Sequence, residues 1–172
     1  YYELKYNTQL ADAKLIRQQV LDDQTALLEY FVGETYIYTF ILTSTGLDVK
    51  QLVKTNPLID KINMVRDIII KAPTSENYVE NCQEFARCGY ALYDQLLQEA
   101  LSDLPPTVNR LLLIPDDLLS YIPFGVLLQQ PVDENIKNYD IDHFHYLLNQ
   151  YTLSYHYSAT LLLKNRQEEG RE

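Results

Sequence analysis

The chain has 172 residues, of which 47% are hydrophobic and 22% are charged, and its formal net charge is −10 at pH 7. These proportions predict one globular domain spanning residues 1–172. The acidic charge repels phosphate backbones and anionic lipids, which argues against nucleic acid and membranes as partners. No apolar run is long enough to span a bilayer, and the first residues lack the pattern of a signal peptide.

The two cysteines predict a reduced, cytoplasmic protein. Cys82 and Cys88 fall within one predicted helix, where six residues turn the chain by about 240°. The sulfurs cannot meet without melting that helix, so no disulfide is expected. Because the chain does not begin with Met, we also expect Tyr1 to be an internal position of a longer protein.

The first half of the chain begins with a helical pattern and continues with three strand patterns. The helix is predicted over residues 8–22, and the strands are predicted at 26–32, 35–43 and 47–53. Gly33 followed by Glu34 predicts a two-residue type II′ turn between the first two strands. The three strands should therefore form an antiparallel meander.

The second strand of this meander has two different faces. Tyr36, Tyr38 and Phe40 lie on one face. The other face alternates Ile37 and Ile41 with threonines, so we expect it to be only partly buried.

Two helices and a buried strand follow the meander. Asn56 is the predicted N-cap of a helix that has Pro57 at its first position, and a longer helix is predicted over residues 76–101. Four consecutive aliphatic residues closed by a proline predict a strand at 110–114 that is buried on both faces. The aspartates after this strand should accept backbone N–H bonds in a turn.

The last part of the chain changes character twice. Residues 129–145 contain a proline, four carboxylates and few apolar side chains, and this composition predicts a mobile acidic loop. A strand pattern resumes at 146–157, and Ser158 is the predicted N-cap of a final helix.

Two stretches of the second half resemble the CHAT domain, a family of caspase-like cysteine peptidases that often follow tetratricopeptide repeats. The first is the run Ile114-Pro115-Asp116-Asp117-Leu118 with Ile122-Pro123-Phe124 and Leu127. The second is Tyr146-Leu147-Leu148, Tyr151, Leu153-Ser154-Tyr155 and Ser158-Ala159. A weaker similarity upstream covers Leu28-Glu29-Tyr30-Phe31, Tyr36-Ile37-Tyr38-Thr39-Phe40 and the series Tyr90, Tyr93 and Leu96.

The resemblance implies an α/β fold with a mixed sheet, an antiparallel meander and helices on both faces, as in a degenerate caspase. In that family the catalytic dyad is formed by a His-Gly element and a later Cys, and both lie C-terminal to the region that Tyr155 and Ser158 match. The resemblance therefore implies that this chain is the N-terminal, pseudo-caspase half, with no catalytic residue, cofactor or metal. The implied partners are the C-terminal protease half of the same protein and tetratricopeptide repeats upstream.

Neither cysteine of the chain fits a catalytic role. A thiolate nucleophile needs a histidine that activates it and donors that stabilise an oxyanion. Cys82 lies on the apolar stripe of its helix, where a thiol is inert. Cys88 is expected to lie off that stripe, with Arg87 as its only cationic neighbour.

Other polar groupings allow a functional interpretation beside a structural one. Asp116 and Asp117 could act as acid and base, but adjacent side chains point apart, which favours turn capping. His156 is expected to be packed or to act as a cap. A metal site is conceivable in the acidic loop, although the spacing matches no closed zinc pattern; its ligands would be Asp140, Asp142, His143 and His145.

The sequence therefore predicts the supporting, non-catalytic half of a CHAT-type peptidase. The alternative is a free-standing interaction module that binds a protein or peptide through a Tyr-rich face. The predicted interface is the apolar face of the last strand, formed by Tyr151, Leu153, Tyr155 and Tyr157. Without its partner, this face predicts a homodimer of the chain.

Overall fold

The computed structural model describes residues 12–71, 76–133, 141 and 144–169. The helices are α1 (Ala13–Gln19), α2 (Asn56–Lys71), α3 (Tyr78–Tyr93) and α4 (Ala159–Glu169). The strands are β1 (Thr25–Val32), β2 (Tyr36–Leu42), β3 (Leu47–Val53), β4 (Arg110–Ile114) and β5 (Thr152–Tyr155). No helix of the described part has the length and apolar character needed to cross a membrane.

The five strands form one mixed sheet in the order β3-β2-β1-β4-β5. β1, β2 and β3 pair antiparallel, whereas β1 pairs parallel with β4, and β4 pairs parallel with β5. The predicted meander and mixed sheet are confirmed. From β1 the chain continues to β2 on one side, and from β4 it leads to β5 on the other. The carboxyl ends of β1 and β4 therefore form a topological switch point, where open α/β sheets commonly bind ligands.

The inner face of the sheet carries the main core on its central strands. Leu28 of β1, Ile37 of β2 and Leu113 of β4 lie in one cluster with Leu58 of α2 and Leu92 of α3, and all five side chains are buried. The short helical turns after β4 add Leu119 and Phe124 to the same core. This cluster is the main hydrophobic core of the described chain.

The outer face of the sheet is covered over only part of its area. Ile16 of α1 and Leu162 of α4 pack with Leu27, Leu42 and Ile114 in a second, smaller cluster. Helices therefore lie on both faces, as predicted.

The two faces of β2 are buried in the opposite sense to the prediction. Ile37 and Ile41 are buried in the main core, whereas Tyr36 and Phe40 on the other face are 37% and 36% exposed. The Ile37 face was expected to be only partly buried, which is wrong. The reason is that α2 and α3 pack against the inner face, while α1 and α4 reach only the end of the outer face near Leu42.

Two local predictions about turns and caps are also wrong, and one is confirmed. The N–H of Gly33 donates to the carbonyl of Tyr36, and no described glycine has a positive φ, so the turn is not type II′. The side chain that caps α2 is that of Thr55, whose Oγ1 accepts from the N–H of Leu58 at 3.3 Å. Ser158 caps α4 as predicted, because its Oγ accepts from the N–H of Leu161 at 3.2 Å.

The long helix predicted over residues 76–101 changes geometry near its end. α3 continues into a π-helical segment, Asp94–Gln98, and a last α-helical turn, Glu99–Ser102. Leu96 and Leu97 are both buried. The hydroxyl of Tyr30 on β1 donates to the carbonyl of Leu96 at 3.3 Å, which ties the π-helical segment to the sheet.

The strand predicted over 146–157 is shorter in the structure. Leu147–Asn149 forms a 3-10 turn, and only Thr152–Tyr155 pairs with β4. Within the predicted acidic loop, residues 134–140, 142 and 143 lie outside the described residues. Phe144 is buried, and Leu128 forms an isolated antiparallel bridge with Tyr146.

Candidate functional site

The carboxyl ends of β1 and β4 are joined through one side chain. Asp116 follows β4, and its Oδ2 accepts a hydrogen bond from the N–H of Val32, the last residue of β1, at 2.9 Å. Its carbonyl accepts from the N–H of Leu119 at 3.0 Å, which begins the next turn. Asp117 is exposed and has a φ of 46°. Asp116 therefore accepts a backbone N–H as predicted, but from a strand 84 residues away in sequence rather than from its own turn.

A cleft with two carboxylates opens beside this contact. The cavity has a volume of about 520 Å³ and is lined by Glu29, Asp116, Phe31, Phe40 and Tyr157, among others. Burial, and secondly the Asp116 carboxylate, raise the pKa of Glu29 above its ordinary value. The sequence interpretation missed Glu29. An acidic residue within the apolar β1 run was the signal that could have found it.

The two cysteines are both core residues. Cys82 and Cys88 are buried, so the expectation that Cys88 lies off the apolar side of the helix is wrong. Burial is the main cause that raises the pKa of the Cys88 thiol, whose Sγ lies 4.0 Å from Oε2 of Glu84. A buried thiol of raised pKa is a poor nucleophile.

One serine and one histidine form a hydrogen-bonded pair that the sequence interpretation did not identify. Oγ of Ser154 and Nε2 of His156 are 2.9 Å apart on the outer face of the sheet. Burial, and secondly Arg166, lower the pKa of His156. A nucleophile and base of this kind need an acidic group that orients the imidazole and stabilises its cation. A nearby guanidinium does the opposite, so the pair lacks the electrostatics of a hydrolase dyad.

The four residues of the predicted interface do not share one environment. Tyr151 is buried in the main core, and Leu153 packs partly against it. Tyr155 is 48% exposed and Tyr157 is 95% exposed. Burial raises the pKa of Tyr155, and backbone hydrogen bonds from Gly125 and Phe124 partly oppose that rise. That the four form an interface stays a prediction, with Tyr155 and Tyr157 as its accessible members.

The predicted metal ligands fall largely outside the described part of the chain. Asp140, Asp142 and His143 lie outside the described residues, and His145 is exposed. Within the described residues, no three His, Cys, Asp or Glu side chains lie close enough to hold a metal ion.

The comparison with protein families identifies the second half of this architecture. The sequence model of the CHAT domain matches residues 86–172, which is just over half of the chain. The chain belongs to the CHAT domain family. No curated protein matches it.

The CHAT match covers much of the architecture around the switch point. It begins at Ala86 in α3 and includes β4, the Asp116 turn, β5 and α4. The CHAT family comprises caspase-like cysteine peptidases, and the mixed α/β sheet with helices on both faces agrees with a caspase-like fold. The meander, by contrast, lies N-terminal to the matched residues.

Proposed function

We propose that this chain is the non-catalytic, pseudo-caspase half of a CHAT-type cysteine peptidase, and that it supports a separate half carrying the Cys/His dyad. The proposal rests on the surroundings of the two thiols in a chain of this family, namely their burial and their hydrogen bonding. Both cysteines are buried core residues. In the described part of the chain, no hydrogen bond joins either sulfur to a histidine.

The sheet edge at β5 supports a docking role for this half. β5 pairs with β4 on one side, and no strand among the described residues pairs with its other side. Outward-facing backbone groups of an edge strand are available to an added strand. Tyr155 and Tyr157 stand at the end of this edge with large exposed rings. A strand of the peptidase half, paired with β5 and packed on these tyrosines, would extend the sheet.

Peptidase and thiol assays of the isolated chain test the non-catalytic part of the proposal. We expect no turnover of caspase-type or separase-type peptides. We also expect iodoacetamide to label Cys82 and Cys88 slowly in the folded chain and rapidly in urea, because both side chains are buried and out of reach of the reagent until the chain unfolds. Turnover that is lost in Cys88→Ala or Cys82→Ala would overturn this part.

Complementation tests the supporting role. The C-terminal peptidase half is expressed separately, and its activity is measured with and without this chain. We expect activity to rise when the chain is added, and we expect Tyr157→Ala to weaken the effect at least threefold. Tyr121→Ala is the matched control, since Tyr121 is also an exposed tyrosine, 64% accessible, but belongs to the turn Asp117–Tyr121 and has Arg66 of α2 over its ring. Equal activity with and without the chain would refute the supporting role.

A further inference from the structure

The outer face of the meander carries a continuous exposed apolar surface. Register places Phe31 of β1 beside Tyr38 of β2, and Phe40 of β2 beside Val49 of β3. Phe31 is 56% exposed, and its ring centroid lies 6.4 Å from that of Tyr38. We refer to this surface as the aromatic face, defined by Phe31, Tyr36, Tyr38, Phe40, Val49 and Val53. Large exposed apolar patches of this kind mark interaction sites.

The aromatic face ends in the cleft that contains Glu29 and Asp116, referred to below as the carboxylate cleft. Phe31 and Phe40 belong to both surfaces, and Tyr157 also lines the cleft. Glu29 pairs in register with Ile114, which is buried in the cluster with α1 and α4. Glu29 therefore lies at the boundary between the covered and the open part of the outer face, half-buried and directed into the cleft.

The electrostatics of the cleft favour a cation. No hydrogen bond or ion pair joins the Glu29 carboxylate to another residue in the described ranges. Asp116 already accepts from the N–H of Val32, and its charge raises the pKa of Glu29. A cation between the two carboxylates would relieve both their repulsion and the cost of burying Glu29. The neighbouring rings of Phe31, Phe40 and Tyr157 add faces on which a guanidinium can stack.

We propose that the aromatic face and the carboxylate cleft together bind a segment of a partner protein that presents apolar side chains and one arginine, whose guanidinium enters between Glu29 and Asp116. Apolar side chains of the segment would cover Phe31, Phe40 and their neighbours. Because this surface lies on β1 to β3 and on the turn after β4, the proposal stands apart from the supporting role assigned to β5, and the two share only Tyr157.

Charge also argues against the other occupants of such a surface. A two-fold contact between copies of this chain would bury the carboxylates of both copies in one interface without a cation. An anionic lipid or phosphate would meet a chain with a net charge of −10. A basic, apolar polypeptide is complementary to both the rings and the carboxylates.

A pair of isosteric peptides tests the proposal on the intact chain. The probe is acetyl-Leu-Leu-Arg-Ser-Leu-amide, and its control carries citrulline, which is neutral but close in shape, in place of arginine. Binding is followed by amide shifts of the ¹⁵N-labelled protein. We expect the arginine peptide to shift Glu29, Phe31 and Phe40 and to bind about tenfold more tightly than the citrulline peptide, because hydrogen bonds to a charged partner are the stronger ones.

Variants test separately what the carboxylates and the aromatic rings contribute to peptide binding. Glu29→Gln combined with Asp116→Asn should abolish the preference for arginine, because both negative charges of the cleft are removed. The fold should be kept, because the asparagine oxygen can still accept from the N–H of Val32. Glu80→Gln, which removes an exposed carboxylate on α3, should leave the preference unchanged. Phe31→Ala should weaken both peptides, whereas Ile70→Ala, at a residue of α2 that is 72% exposed, should weaken neither.

Three results would overturn the proposal. The first is equal affinity for the two peptides, or no amide shift at concentrations up to about 10 mM, the weak end of measurable binding. The second is a set of shifts confined to residues 146–163. The third is sedimentation as a dimer whose interface protects Phe31 and Phe40, which would identify a second copy as the occupant.

Discussion

Neighbouring residues of one strand differ sharply in burial because they lie on opposite faces of the sheet. Tyr30 points to the inner face, where it is buried and its ring centroid lies 5.3 Å from that of Phe124. Phe31, the next residue, points to the outer face and is 56% exposed. Both are aromatic residues in the middle of the same sheet. The difference comes from the helices: α2 and α3 cover the inner face of the meander, whereas α1 and α4 stop at the Leu27 end of the outer face.

Truncating one phenylalanine on each face is the strongest test of this comparison. Phe124→Ala removes a fully buried side chain of the main core, and we expect it to lower the free energy of unfolding by about 3–5 kcal/mol. Phe31→Ala removes a side chain that is mostly in water, and we expect a loss below about 1 kcal/mol. Urea unfolding followed by circular dichroism measures both. Similar losses would mean that the outer face is covered in solution.

Removing the hydrogen bond between the ends of β1 and β4 is expected to give the next largest loss of stability. Asp116→Ala leaves the N–H of Val32 without its acceptor, and we expect the free energy of unfolding to fall by about 1–3 kcal/mol. Asp116→Asn is the control, because its side-chain oxygen can still accept that bond, and we expect it to lose less than half as much. Equal losses in the two variants would show that the charge of Asp116, and not its hydrogen bond, stabilises the switch point.

A smaller effect is expected where β5 approaches the turn under the inner face. A Cβ atom at Gly125 would lie 3.0 Å from Cδ1 of Leu153 and 3.5 Å from Cβ of Leu148. We expect Gly125→Ala to cost about 1 kcal/mol in thermal or urea unfolding, since overpacking forces neighbouring side chains to move. Gly46→Ala is the matched control, because nothing lies within 4 Å of its added Cβ. Stabilisation by Gly125→Ala would indicate that this part of the inner face is loosely packed.

The smallest expected change in the free energy of unfolding concerns Glu29 on the outer face, where the substitution should stabilise the protein. Burial and Asp116 raise the folded-state pKa of Glu29, so stability falls as the pH rises through the range between the unfolded and folded pKa values. Ionised Glu29 therefore costs stability at pH 7. We expect Glu29→Gln to be more stable than the natural chain at pH 7, by no more than about 0.5 kcal/mol, and equal to it at pH 3. A stability loss at pH 7 would mean that the Glu29 carboxylate makes a favourable contact.

The sequence allowed accurate predictions where the determining interactions are local. The strand at 110–114 and the Ser158 cap follow from residues next to each other in the chain, and both are confirmed. The burial of β2 was predicted wrongly because alternation shows two faces but not which one the helices will cover. The acceptor role of Asp116 was predicted, but its partner Val32 was not. Contacts between distant parts of the chain leave little trace in a single sequence.

The candidate site could be predicted only in part for the same reason. The resemblance to the CHAT domain rested on contiguous runs such as that from Ile114 to Phe124, and the family is confirmed. The cleft, by contrast, brings together Glu29 from within β1, Asp116 from the turn after β4 and Tyr157 from beyond the end of β5. Glu29 stands out as an acidic residue in an apolar run, but its neighbours in the cleft follow only from the parallel pairing of β1 with β4 and of β4 with β5.

The π-helical segment Asp94–Gln98 has a consequence for chain length in related proteins. A π-helical turn holds one more residue than the α-helical turn that would replace it. Deleting one residue there would leave a regular helix, and the residues beyond it would keep their orientation, because the extra residue is absorbed within the π-helical turn. Ala100 and Leu101, both buried, would still face the core. A relative one residue shorter at this point could therefore keep the same side chains in the last helical turn, so an alignment gap here should coincide with apolar residues at the positions of Ala100 and Leu101.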